Sequence, residues 1–207
     1  MKHIFLTGEK NCGKTTLLTQ ALAEFRVSGF SSKILPPNEI RLFRASLWFG
    51  SNSVFAKNGV NFSKDHASNA TLIPACVEAF FEKSEENLAG ICGVRDSFTQ
   101  AFEQLGVEIL QEAWRGRGEF EVVAMDEVGF LEARSPSFQE EILRLLAQNA
   151  SVKPVLGVVK KEASTPFLQR IHTHENVELI SVEKQNAQEV LRYIKSWLKE
   201  CQGRFKV

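Results

Sequence analysis

Gly8-Glu9-Lys10-Asn11-Cys12-Gly13-Lys14-Thr15 has the spacing G-x-x-x-x-G-K-[ST]. In such a loop main-chain N–H groups surround phosphates, the lysine reaches the β- and γ-oxygens, and the hydroxyl binds Mg²⁺. Gly8 and Gly13 let the backbone turn and approach an anion without a Cβ. A helix beginning near Lys14 points its unpaired N–H groups at the same place. A second chemical element is Met125-Asp126-Glu127, at the end of the apolar run 122–125, where open α/β sheets place their ligands. Asp126 is expected to hold Mg²⁺ through a water alongside Thr15. Glu127 is then free to orient and deprotonate an attacking water, with Lys14 as the other catalytic group. The loop residues Gly8, Glu9, Lys10, Asn11, Cys12, Gly13, Lys14 and Thr15 are the expected nucleotide contacts, and Thr15 and Asp126 the metal site.

Elements that would position these groups are visible around them. Ile4-Phe5-Leu6 is a short apolar run ended by Thr7-Gly8, and Leu17, Leu18, Ala21, Leu22 and Phe25 recur with helical spacing. The reading is strand, glycine loop, helix, with Gly29 closing the helix. Residues 33–62 carry Pro36-Pro37 and turn signals at Gly50, Asn52 and Asn58-Gly59, which predict short strands or a hairpin. Helices are expected over 71–83 and over 97–115, the second from an Asp96-Ser97 cap. Val122–Met125, Val155–Val159 and Val177–Ile180 are buried-type strands. Helices from Ser135-Pro136, near Pro166–Ile171, and through Val190, Leu191, Ile194 and Leu198 alternate with them. That rhythm predicts an α/β fold of three αβα layers with a mainly parallel sheet. At 207 residues the whole chain, 1–207, is expected to be one domain with an irregular insertion at about 30–62.

Composition narrows the function classes. The chain is 43% apolar and 24% charged, as in an ordinary globular protein. Lys plus Arg and Asp plus Glu both count 25, and this balance argues against non-specific nucleic-acid or membrane-surface binding. No apolar run nears the roughly 20 residues of a membrane helix, and Gly8 interrupts any leader-like segment, so a cytoplasmic protein is expected. Cys12, Cys76, Cys92 and Cys201 are scattered with no C-x-x-C pair and read as reduced thiols.

With both elements placed, the chain resembles the small P-loop nucleoside-triphosphatases of the THEP type over most of its length. The resemblance is carried by Ile4–Gly8 running into Gly13-Lys14-Thr15-Thr16-Leu17, and above all by Asp126-Glu127-Val128-Gly129-Phe130-Leu131-Glu132, similar to D-E-[IV]-G-x-[ML]-E. Phe102-x-x-Leu105-Gly106, Ser135, Phe138, Lys153–Leu156 and Asn186 add to it. Phe130, Lys160-Lys161 and Asn186-Ala187 depart from the family's residues, as does the region 33–62. The resemblance implies an ASCE, RecA-like P-loop NTPase fold and slow, Mg²⁺-dependent hydrolysis of ATP or GTP with little base selectivity. It adds Thr16 to the phosphate contacts and assigns the metal to Asp126 and the water to Glu127.

Two other classes compete: a nucleotide-dependent switch or adaptor docking a protein partner through residues 30–62, and a kinase of a small molecule or nucleoside. The extra Glu127 favours hydrolysis, since a kinase must exclude water and needs a second pocket. An arginine that stabilises γ-phosphate charge raises turnover by roughly 10³–10⁵. Arg41, Arg44, Arg95, Arg134 and Arg170 are candidates, with Lys160 or Lys161 as point-charge substitutes. Trp48, Phe49 and Phe55, beside Arg41, Arg44 and Lys57, read first as core.

Overall fold

The computed structural model describes residues 2–36, 38–45, 85–91, 99–115, 120–147 and 153–204. Among these residues the centre is a sheet of seven strands: β1 (His3–Thr7), β2 (Val27–Leu35), β3 (Glu39–Arg44), β4 (Leu88–Ile91), β5 (Val122–Val128), β6 (Val155–Val159) and β7 (Val177–Ser181). They lie in the order β4-β3-β2-β5-β6-β1-β7. From β2 to β7 every neighbouring pair is parallel, whereas β3 and β4 join antiparallel at one edge. The chain therefore leaves β1 and β5 at the same edge of the sheet, with only β6 between them. That edge is where the glycine loop and the acidic pair must meet.

The apolar runs make this arrangement because both faces are covered. Ile4 and Leu6 of β1 pack with Ala124, Leu156 and Val158 against helix α1 (Lys14–Leu22) and a C-terminal helix whose Val190, Ile194 and Leu198 are buried. Phe5 faces the other way, with Val123, Met125, Val155 and Val159, toward three further helices. In chain order these are α2 (Val107–Trp114), entered through a turn at Thr99–Ala101 and a π-helical stretch Phe102–Gly106, then α3 (Pro136–Ala147) and α4 (Pro166–His172). The C-terminal helix is α5 (Ala187–Arg204). Each fully buried Leu, Ile or Phe stabilises this three-layer packing by about 1.5–3 kcal/mol. Ser135-Pro136 opens α3 as its sequence predicts. Thr165 caps α4 by accepting from the Leu168 N–H at 3.2 Å, with Pro166 in the first turn.

Some expectations need revision, and others lie outside the described residues. Gly29 does not close α1, which ends at Leu22; it lies inside β2 with φ +104°. The helical pattern ran on to Phe25 because Phe25, beyond the helix, still packs in the core under α1. Glycine is required at 29 for a different reason: a Cβ there would sit 2.1 Å from the Ala124 carbonyl oxygen of β5. The hairpin expected after residue 33 is formed by β2 and β3, paired from Phe30 with Arg44 to Leu35 with Glu39, and β2 begins earlier, at Val27. β4 was not expected, since Leu88-Ala-Gly-Ile91 has neither the length nor the β-branched content of a recognisable strand. The helix over 71–83, the Asp96-Ser97 cap, Cys76, Cys92, Arg95, Lys57 and the Trp48, Phe49 and Phe55 cluster lie outside the described residues, as does most of the 30–62 segment. Among the described residues no helix is long and apolar enough to cross a membrane.

Replacing Gly29 by Ala should destabilise the protein by on the order of 3 kcal/mol, lowering Tm by about 6–12 °C for a chain of this size. The positive φ and the clash with Ala124 act together. Calorimetry of G29A checks this; a Tm within 2 °C of the parent would contradict the assigned backbone, roughly the scale of an ordinary surface substitution.

Candidate phosphate and metal site

The loop after β1 alternates between right- and left-handed backbone. Gly8, Asn11 and Gly13 have φ of +143°, +62° and +101°, the kind of alternation that turns successive N–H groups into one anion-binding concavity. At Gly8 a Cβ would lie 2.5 Å from the Val182 carbonyl, so the strand-to-loop turn passes too close to the end of β7 for any other residue. Gly13 caps α1, and the Leu17 N–H donates to its carbonyl at 2.9 Å. Lys14 is largely buried and folds its ammonium back over the loop, donating to the carbonyls of Gly8 (2.9 Å) and Glu9 (2.7 Å). Cys12 packs toward the core under α1, its Sγ 3.6 Å from Lys14 Nζ.

The acidic strand end faces this loop. Thr15 Oγ1 donates to Asp126 Oδ1 at 3.1 Å, spanning 111 residues of sequence. Asp126 is 2% exposed, and its second oxygen accepts from Lys33 Nζ at 2.7 Å and Ser31 Oγ at 3.5 Å, both on β2. Glu127 is half-buried and paired with Lys160. Lys160 follows β6, its N–H bonded to Val128 O and its carbonyl accepting from His172 Nε2 at 2.9 Å. Lys161 reaches across to Glu9 at 2.6 Å, which lowers the Glu9 pKa and raises that of Lys161 through their direct hydrogen bond. Beneath them Glu132 is buried and accepts the Gly129 N–H at 3.0 Å. Burial pushes its carboxyl up to about 7; its backbone hydrogen bonds oppose the shift, and the Glu127 charge adds to it.

These groups line one cavity of about 950 Å³. Gly8–Asn11, Gly13–Thr16, Glu127, Lys160 and Lys161 form its polar side, while Ile34, Ile40, Ile91, Phe130 and Leu131 form an apolar wall. Ile34, Ile91 and Phe130 are among the few exposed large hydrophobic residues of the described chain. Of the expected loop residues all line the cavity except Cys12, and Asp126 lies just below it.

Among the described residues no arginine lines the cavity. Arg41 is buried against Glu39 and Asn87, and Arg44 is paired with Glu108 and Glu112 of α2. Lys160 and Lys161 do line it. Sequence reasoning missed Lys33, Ser31 and the burial of Glu132. Lys33 and Ser31 share a face of β2 by simple alternation, but only the β2–β5 register, Ser31 opposite Asp126, brings that face to the acid.

A family model described as NTPase matches residues 77–195, more than half of the chain. The chain belongs to this NTPase family. The model's span contains the acidic strand and Glu132; the glycine loop after β1 lies before it. The THEP type expected from Gly8–Thr16 and Asp126–Glu132 agrees with this match and with relatives named nucleoside-triphosphatase THEP1. A cancer-related nucleoside-triphosphatase homolog of Bos taurus is 26% identical over 92% of this chain and 93% of its own length. The nucleoside-triphosphatase THEP1 of Thermotoga petrophila is 24% identical over 97% and 94%. Among solved structures, THEP1 from Aquifex aeolicus superposes with a TM-score of 0.61 at 21% identity, covering 96% of this chain and 99% of that one. A human cancer-related nucleoside triphosphatase gives 0.57 at 18%, covering 97% and 98%. The fold described above is thus shared with these two structures.

The Glu132 pKa has a consequence for stability. The folded chain keeps its proton between the ordinary 4.5 and about 7, where the unfolded chain has released it, so stability falls as pH rises through that window. Glu132→Gln keeps an acceptor for Gly129 and removes the titration. The drop in stability from pH 5 to pH 8 should be smaller in E132Q by on the order of 2–3 kcal/mol, about 5–10 °C in Tm. His3, whose pKa burial lowers to about 4, is common to both proteins and cancels in the comparison. Parallel Tm profiles would refute the buried-acid assignment.

Proposed function

We propose that this family member hydrolyses the β–γ bond of nucleoside triphosphates, ATP and GTP included, with Mg²⁺, as one P-loop domain spanning the chain. The observation that carries the reading is the 3.1 Å contact between Thr15 and Asp126, which sets a phosphate-type loop and a buried carboxylate face to face. The residues present fit a magnesium ion: a helix-terminal hydroxyl beside an ionisable carboxylate is a hard, oxygen-only donor set. Thr15 and Asp126 would hold the ion, which when bound neutralises charge on the β- and γ-oxygens.

The chain's own groups supply the rest. The amides of residues 8–16 and the Lys14 ammonium take the triphosphate, the ammonium adding phosphate oxygens to its present carbonyl partners. Glu127 accepts the proton of a water as that water's oxygen bonds to the γ-phosphorus. The bond from γ-phosphorus to the bridging oxygen breaks, and the nucleoside diphosphate leaves. The ion pair with Lys160 holds this carboxylate at the cavity lining.

Lys14→Ala should abolish saturable nucleotide binding, and Glu127→Gln should bind normally while phosphate release falls by about 10²–10⁴. Fluorescent-nucleotide titration and phosphate release from an NTP panel, with Mg²⁺ or EDTA, measure both. Full turnover in E127Q would remove Glu127 from its role.

The apolar wall favours one second reading, phosphoryl transfer to a small apolar alcohol seated on Ile34, Ile91 and Phe130. γ-Labelled ATP separates the two: label recovered on candidate alcohols supports transfer, and label recovered only as free phosphate supports hydrolysis.

A further inference from the structure

The metal acid of this site already has a cation on it. Lys33 Nζ lies 2.7 Å from Asp126 Oδ2, with the side chains only 18% and 3% exposed, while Thr15 bonds the other oxygen. The pair is formed by neighbouring parallel strands: β2 and β5 run in register with Ser31 opposite Asp126, so residue 33, two further on, shares that face and reaches past the end of the register. Both ions are held in a low-dielectric wall, where a carboxylate is strongly stabilised by an opposite charge and a further cation is repelled by it.

We propose that Lys33 is the built-in counter-ion of Asp126 and makes divalent-metal binding conditional on nucleotide. The inference rests on the proposed role of Asp126 toward the metal. Asp126 and Lys33 together carry no net charge, so the nucleotide-free pair attracts a divalent ion weakly. A bound triphosphate brings several negative charges to the adjoining loop, and the metal then enters with them. The ion is thus admitted as part of a metal–nucleotide complex, and the nucleotide-free protein does not hold it. The pairing also gives the buried carboxylate a counter-charge on one oxygen while Thr15 bonds the other.

Mn²⁺ titration followed by electron paramagnetic resonance tests this on the nucleotide-free, full-length protein. The unaltered chain should show no saturable binding below about 1 mM, and a nucleotide should bring such binding in. Lys33→Met, which keeps the aliphatic stem, and Lys33→Gln should each bind one Mn²⁺ without nucleotide at least about tenfold more tightly, the size of a one-unit change in site potential. Lys33→Arg should restore the parent behaviour, which a merely structural role for the lysine would not predict. Adding Asp126→Asn to Lys33→Met should erase the gain.

Saturable Mn²⁺ binding by the unaltered, nucleotide-free protein that disappears in D126N would overturn the proposal. So would Mn²⁺ affinity in folded K33M and K33Q within twofold of the parent. Fluorescent-nucleotide binding in EDTA, measured on the same samples, separates the two levels: nucleotide bound by the loop with metal affinity indifferent to residue 33 sinks the counter-ion, whereas no nucleotide bound by the parent protein sinks the function it rests on.

Discussion

The contact between Thr15 and Asp126 depends on parallelism more than on either residue. Parallel strands release their C-terminal ends at one edge, and in the order β5-β6-β1 the loop after β1 and the acid on β5 are separated by the width of one strand. A threonine and an aspartate 111 positions apart can meet at 3.1 Å only under that constraint. The two apolar cores enforce it, because β1, β5 and β6 are apolar on both faces and cannot be left with either face in water. Energy stored in burying Phe5, Ile4, Met125 and Leu156 is what fixes the distance between groups that are themselves polar.

The polar groups at that edge form a sequence of pairs of differing depth. Glu9 with Lys161 is fully exposed and amounts to a weak clasp between the loop and the segment after β6. Glu127 with Lys160 is half-exposed and can exchange partners with a charged ligand. Asp126 with Lys33 is nearly enclosed and cannot lose one member without leaving a buried charge behind. Glu132, deepest of all, meets the problem differently by retaining its proton to about pH 7. The series of pairs runs from exposed to enclosed in the order Glu9–Lys161, Glu127–Lys160, Asp126–Lys33. It places the adaptable charges where a ligand arrives and the fixed ones where geometry must hold.

Which of these features could be read from sequence follows from what constrains residue type. The strand, glycine loop and helix at the amino end were legible because an apolar run, two glycines that take positive φ and an amphipathic segment follow one another there. β5 was legible because an apolar strand ending in two acids is an uncommon pattern. Gly29 misled: its local context after an amphipathic helix mimicked a helix stop, whereas its cause, the Ala124 carbonyl on a strand almost a hundred residues away, is tertiary. β4 was invisible because an edge strand is defined by the ladder offered to it. Lys33 was invisible for a related reason, since a lysine on a strand reads as a solvated cation until the register brings a carboxylate to the face it lies on.

The cations that line the cavity bear on how fast such a site can work. Lys10, Lys14, Lys160 and Lys161 line it, and among the described residues no arginine does. An ammonium is a compact, strongly hydrated point charge, without the planar fork that lets a guanidinium meet two phosphate oxygens at once. Lys14 is partly committed to the carbonyls of its own loop, and Lys160 to Glu127. If Lys160 moved onto a bound γ-phosphate it would stabilise the developing charge but release Glu127, the carboxylate proposed above to take the water's proton; if it stayed, the reverse would hold. A site that divides one lysine between these two tasks carries an electrostatic compromise that the planar fork of an arginine would lift.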